Sequence, residues 1–199
     1  MEEKKVKPRK ATVSRHTTET QIKLSLNLNG GAVKISTGVG FLDHMLTLFA
    51  NHGGFGLSIN AKGDAYVDDH HTTEDIGIAL GQAFYEAAGN KKGIARYGHI
   101  LLPMDEALVE VAVDFSGRSF ARSDLPFHAA KTGSFDLSLI EEFFRSFAMN
   151  AKITLHINLR YGKNDHHIAE AAFKATARAL KQALRIDSDI IPSTKGVIE

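Results

Sequence analysis

The sequence predicts an α+β fold of two similar halves, each a small antiparallel sheet with helices on one face, and three observations lead there. Strand-like alternation occurs twice, at Ile22, Leu24, Leu26, Leu28 and at Val109, Val111, Val113, Phe115, each time running into a turn, Asn29 with Gly30 and Ser116 with Gly117. FLDHMLTLFA from Phe41 aligns without gaps on LIEEFFRSFA from Leu139, both with apolar residues at helical spacing. LSIN from Leu57 and DHHTTE from Asp69 recur as LHIN from Leu155 and DHHIAE from Asp165. Four segments repeated in one order mark an internal duplication, with half-repeats at residues 10–93 and 94–186.

Taken in order, the first ten residues carry five basic and two acidic side chains and almost nothing apolar, so residues 1–9 are expected to form a mobile tail. A half-buried strand runs from Thr18 to Leu28, and Asn29 to Gly31 closes a hairpin on which Ala32 to Ser36 returns as partner. Phe41, Leu42, Met45, Leu46, Leu48 and Phe49 then recur at helical spacing, giving a helix of about three turns closed by Gly53 and Gly54. Leu57 to Ala61 reads as strand, and Asp68 and Asp69 offer capping oxygens to a helix from about His70 to Ala88. Asn90 to Gly93 ends the first half, the second repeats the order, and residues 187–199 form a tail.

Composition narrows the function. The 199 residues hold 24 Lys plus Arg against 23 Asp plus Glu, a balance that provides no general field for nucleic acid or an anionic membrane. Without cysteine there is no disulfide framework, thiolate metal site or thiol nucleophile. The apolar runs fall far short of the ~18 residues of a membrane span, and the first residues lack the apolar core of a secretory signal, so a cytoplasmic protein is expected.

Four of the ten His form two adjacent pairs, His70 with His71 and His166 with His167, each followed by a carboxylate, Glu74 and Glu170. At three and four residues along a helix, His and Glu stack on one side about one turn apart, a chelating arrangement. Adjacent His diverge by about 100°, so the four suit two ions better than one. The positive end of a helix dipole also favours neutral imidazole, with a lone pair free for metal. Imidazole and carboxylate without thiolate suit Mn, Fe, Co, Ni or Zn, and a mixed nitrogen and oxygen shell favours six-coordinate Mn. Neither block is HExxH, so a zinc protease is a poor match.

The runs GVGFLDHMLTLFANHGG, DDHHTTEDIGIALGQA and NDHHIAEAAFKATARAL, with STKGVIE at the end, resemble the imidazoleglycerol-phosphate dehydratase family over nearly the whole chain from Arg15. The resemblance implies two related halves, each a four-stranded sheet with helices on one side. It implies trimers assembled into a 24-subunit homo-oligomeric shell with sites between subunits, and two Mn²⁺ per subunit. Matched residue by residue, His44, His70, His71, Glu74, His166, His167 and Glu170 fall on metal ligands, and Glu19 on the acid/base carboxylate. Arg96, Arg118, Lys174, Ser193, Thr194 and Lys195 fall on substrate-binding positions, chiefly around a phosphate, and His52 on a further substrate contact. Glu142 departs from the pattern, standing where some members carry a metal-ligating His. In the repeat it lies opposite His44, which suggests an equivalent role in the second half, while a solvent-facing helical Glu remains the alternative.

Ordinary explanations exist for several of these residues. Glu19 begins a strand, where solvated carboxylates are common; Lys174 is four residues from Glu170, an ordinary helical ion pair; and Pro192 to Gly196 has the composition of either a flexible end or an anion-binding nest. The implied reaction is a dehydration whose carbon-bound proton is not acidic. A ring bridging two cations as imidazolate pushes electrons toward the side chain and helps expel the hydroxyl, while a placed carboxylate moves the proton. A di-metal hydrolase of small phosphate esters and a metal-stabilised assembly protein are the competing classes, separated by product: a ketone, inorganic phosphate, or neither.

Overall fold

The computed structural model describes residues 9–198; most of the expected mobile tail, residues 1–8, lies outside them. Arg9 is already docked, its carbonyl accepting the Leu28 N–H at 3.0 Å. Strands β1 (Lys10–His16), β2 (Thr20–Asn27), β3 (Val33–Ser36) and β4 (Gly56–Gly63) form one sheet, with helices α1 (Gly40–Gly53) and α2 (His70–Ala88). The second half repeats this with β5 (Tyr97–Met104), β6 (Ala107–Asp114), β7 (Phe120–Asp124), β10 (Thr154–Tyr161), α3 (Leu139–Ala151) and α4 (Asp165–Ala183). Between β7 and α3 lies an extra two-stranded piece, β8 (Lys131–Thr132) with β9 (Phe135–Asp136).

The strand orders, β1-β2-β4-β3 and β5-β6-β10-β7, are the same arrangement twice, so the predicted duplicated α+β architecture is the one observed. Two expectations about pairing need correction. The segment after Gly31 does not return against β2, because β1 and β4 flank β2 on both sides. Instead β3 pairs with β4 in parallel, joined to it through α1 as a crossover, and β7 pairs likewise with β10. Each sheet is therefore mixed rather than antiparallel.

The two halves meet through their helices. α2 lies on β1, β2 and β4, α4 lies on β5 and β6, and between these layers α1 packs on α4 and α2 on α3. The seam is aromatic: Phe49 and Phe84 of the first half meet Phe147 of the second edge-on, the three rings 5.4–6.2 Å apart, and within the second half Phe173 packs on Phe143 at 5.1 Å and Phe144 at 4.7 Å. On α2 the close approach is made by Gly77 and Gly81, where an added Cβ would come within 2.8 Å of Phe143 O and of Asn150 Cβ respectively. The ends of α1 and α3 match as well: Gly54 (φ 67°) and Lys152 (φ 52°) both cap in the left-handed region, glycine doing so without the Cβ penalty. No helix among the described residues is long and apolar enough to cross a membrane.

Candidate metal centre and active site

Helix pairing puts the repeated motifs to use. His44 on α1 and His166 and Glu170 on α4 bring one nitrogen or oxygen each within 4.8 Å of one another, and so do Glu142 on α3 and His70 and Glu74 on α2. Because α1 corresponds to α3 and α2 to α4, the two clusters are one arrangement used twice. In the first, His44 Nε2 and His166 Nε2 lie 3.0 and 3.1 Å from the same oxygen, Glu170 Oε1, while Lys174 Nζ donates to Oε2 at 2.5 Å and lies 3.3 Å from Met104 Sδ. Burial raises the Glu170 carboxyl, but these donors outweigh it and hold its pKa at about 2. In the second, Arg145 pairs with Glu142 and approaches Glu74 at 3.9 Å from the exposed side.

The second His of each pair turns elsewhere. His71 Nδ1 lies 3.0 Å from Asp64 Oδ2, and His167 Nδ1 lies 2.7 Å from Glu106 Oε2. A carboxylate at Nδ1 requires the N–H there, which leaves Nε2 with its lone pair, the tautomer a metal ligand needs. The hydrogen bonds that the two rings donate to Asp64 and Glu106 push both imidazoles above their ordinary pKa, and His167 draws Glu106 down to about 2. Glu19 sits one residue before β2 rather than within it, in a turn where Thr17 Oγ1 accepts its N–H at 3.1 Å. Its half-exposed carboxylate is 3.7 Å from His71 Nε2. Behind it, buried Asp75 accepts from Thr20 at 2.5 Å and Arg15 at 2.8 Å and so ties α2 to this turn.

The expected substrate residues fall in two groups. Arg96, Arg118, Ser193, Thr194 and Lys195 line one cavity of about 660 Å³. Arg96 is held by Asp114 through Nε at 2.7 Å and Nη2 at 3.1 Å, and its Nη1 donates to Pro192 O at 2.9 Å, fastening the tail over the cavity. Lys174 is not there but buried against Glu170, and His52 is at the far end of α1, where partial burial and then the charges of Lys174 and Arg178 push its pKa down. Sequence reasoning missed Asp64, Asp75, Asp114 and Arg145; Glu106 stands opposite Glu19 when the first strands of the two halves are aligned.

A duplicated α+β chain with two candidate imidazole–carboxylate metal clusters and a separate cationic tail pocket defines a class, an enzyme with the side chains to bind metal and a small molecule. Residues 37–180 match the family model described as imidazoleglycerol-phosphate dehydratase. A relative of that name from Thermoanaerobacter sp. (strain X514) is 57% identical over 193 residues, covering 96% of this chain and all of its own, and one from Caldicellulosiruptor saccharolyticus is 54% identical over 189. Among solved structures, the dehydratase from Staphylococcus aureus superposes with a TM-score of 0.82 at 46% identity, covering 89% of this chain and 99% of that one. That from Pyrococcus furiosus, in complex with (S)-C348, has a TM-score of 0.82 at 40% identity, covering 93% and 99%. The chain belongs to the imidazoleglycerol-phosphate dehydratase family, a family of hydro-lyases.

Proposed function

We propose that the chain dehydrates imidazole glycerol phosphate to imidazole-acetol phosphate in histidine biosynthesis, using two Mn²⁺ per subunit. The observation that carries the reading is the pair of matched clusters, each joining imidazole nitrogen and carboxylate oxygen within 4.8 Å with no thiol, a donor set suited to Mn²⁺. His44, His166 and Glu170 would hold one ion and His70, Glu74 and Glu142 the other, with His71 and His167 presenting Nε2 to the same purpose. Divalent charge there favours the deprotonated substrate ring and hence electron flow toward the leaving hydroxyl.

The chain's residues supply the rest. Glu19, exposed and tethered by one hydrogen bond at its backbone, takes the carbon-bound proton as the neighbouring C–O bond breaks and returns a proton to the departing hydroxide, which leaves as water; the resulting enol tautomerises to the ketone. Arg118, Lys195, Ser193 and Thr194 grip the phosphate, and Arg96 keeps their segment in place. His52 and Lys174 line the approach to Glu170.

The geometry supports sites shared between copies. Arg96 N–H bonds Ala183 O at the end of α4. His166 is at the start, about 25 Å away at the helical rise. A three-carbon chain between ring and phosphate spans under about 10 Å at ordinary bond lengths. One chain therefore cannot bring its own tail pocket to its own α1–α4 cluster, which fits trimers closing into a 24-subunit shell. The test is incubation of Mn-loaded protein with imidazole glycerol phosphate: ketone formation, read as enolate absorbance in alkali, is expected, whereas released inorganic phosphate would make the protein a hydrolase.

A further inference from the structure

Glu19 and Glu106 occupy equivalent places in the two halves but are held in opposite ways. The Glu106 carboxylate is engaged at both oxygens, with His167 Nδ1 at 2.7 Å on Oε2 and the Asn164 N–H at 2.7 Å on Oε1. Glu19 Oε1 faces His71 Nε2 at 3.7 Å, beyond hydrogen-bond distance. A carboxylate that must collect a proton cannot be anchored through its own oxygens, so its position has to come from the backbone.

Three side chains fix that backbone. Asp75 on α2 is buried, and its carboxylate accepts from Thr20 Oγ1 at 2.5 Å and from Arg15 Nη2 at 2.8 Å. An ionised carboxylate only accepts, so the single Thr20 hydroxyl proton is committed to it, and in the 3.3 Å contact between the Thr17 and Thr20 hydroxyls Thr17 is the donor. The Thr17 oxygen keeps two lone pairs, and they take the Glu19 N–H at 3.1 Å and the Thr20 N–H at 2.9 Å. The direction of every hydrogen bond in the chain is thus set by the charge on Asp75. That residue follows Glu74 and lies one turn beyond His71, so the helix carrying those two side chains also dictates where Glu19 stands.

The repeat supplies an internal control. In the second half Leu102 stands for Arg15, Met104 for Thr17, Ala107 for Thr20 and Ala171 for Asp75. None of the four bears a charge or a hydroxyl; Ala107 and Ala171 are buried, and Leu102 and Met104 pack on the core. The same strand-to-strand turn therefore closes without a polar group behind it, and a buried carboxylate with its guanidinium is a cost that folding does not require there. It occurs only in the half whose turn carries the uncommitted carboxylate.

Resting on the dehydratase reading, we propose that Asp75, Thr20 and Thr17 are positioning residues for the reaction: their directed hydrogen-bond chain holds the Glu19 backbone at a fixed offset from α2, so that its free carboxylate meets the substrate carbon.

The test is a double-mutant cycle between Glu19→Gln and Thr20→Val, the second keeping the buried shape and removing the hydroxyl. In the Mn-loaded protein Thr20→Val should lower kcat at least about tenfold, with KM and metal content near wild type, and Thr20→Ser should recover it. In the Glu19→Gln background the same change should cost less than about twofold, since no proton carrier remains to be placed. Thr176→Val, which removes another buried threonine hydroxyl from α4, should leave kcat unchanged. Without substrate, the Glu19 and Thr20 amides should exchange hydrogen at least about tenfold faster in Thr20→Val than in wild type. Equal losses of kcat in both backgrounds, or exchange at those amides no faster than in wild type, would overturn the assignment and leave Thr20 a packing residue. A wild type that forms no ketone would instead remove the dehydratase reading, and this assignment with it.

Discussion

On α4, Glu170 is buried and satisfied from within by His44, His166 and Lys174; on α2, the corresponding Glu74 is only partly buried and, with Glu142, is met from outside by Arg145. In the repeat Lys174 corresponds to Ile78 and Arg145 to Thr47, so the counter-charges come from different helices and neither is inherited. The residues that could ligate metal stayed in register through the duplication because helical spacing fixes them, while the groups balancing their charge moved. The same divergence separates Glu19 from Glu106. Glu106 orients His167, but in the first half Asp64 orients His71 and leaves the Glu19 carboxylate unbound by it.

This contrast can be broken at its strongest point first. In metal-free protein, Lys174→Met leaves buried Glu170 without its ammonium partner, and a loss of about 3 kcal/mol is expected in denaturant unfolding. Adding Mn²⁺ should recover most of it, since a cation is restored; an equal deficit with and without metal would mean that Glu170 does not ligate. Next, Glu19→Gln should cut turnover by about a hundredfold at unchanged metal content, the scale of a lost general base. Glu106→Gln should do the reverse, lowering metal affinity by about tenfold or more through a disordered His167 with a smaller direct effect on the chemistry. If both variants behave alike, the two carboxylates have not diverged.

A finer cut is Glu142→Ala, which should weaken one of two bound ions in a metal titration, with Glu142→His restoring it and Glu141→Ala nearly silent. Two ions bound as tightly as in wild type would remove Glu142 from the cluster. The smallest effect belongs to Arg145→Ala. Its guanidinium is more than half exposed, so unfolding should shift by less than about 1 kcal/mol.

What the sequence revealed follows from range. The two His-His-x-x-Glu blocks, the helix from Phe41 and the helix starting at His70 depend on residues a few positions apart, and both blocks open helices as the spacing predicts. The placement of β3 was not legible, because a Gly-rich turn after a strand signals a reversal but not which edge is free. β1 also escaped notice: only Ala11 and Val13 on its seven residues are buried, too short an alternation to stand out beside a charged tail. The partners of His167 and of Arg96 are 61 and 18 residues away in the chain, joined only when strands pair, so spacing carries no trace of them.

The length of α4 has a consequence for mixtures. If the tail pocket serves one copy and the His44, His166 and Glu170 cluster another, damage to the two ends is damage to separable halves of one catalytic unit. A preparation carrying Glu170→Ala and one carrying Lys195→Ala should each be nearly inert, yet after dissociation and joint reassembly some interfaces will pair an intact cluster with an intact pocket. With random mixing at equal amounts about one quarter of the sites are whole, so recovered turnover near a quarter of wild type measures the sharing directly, by complementation between two dead proteins. No recovery would mean that each chain serves itself.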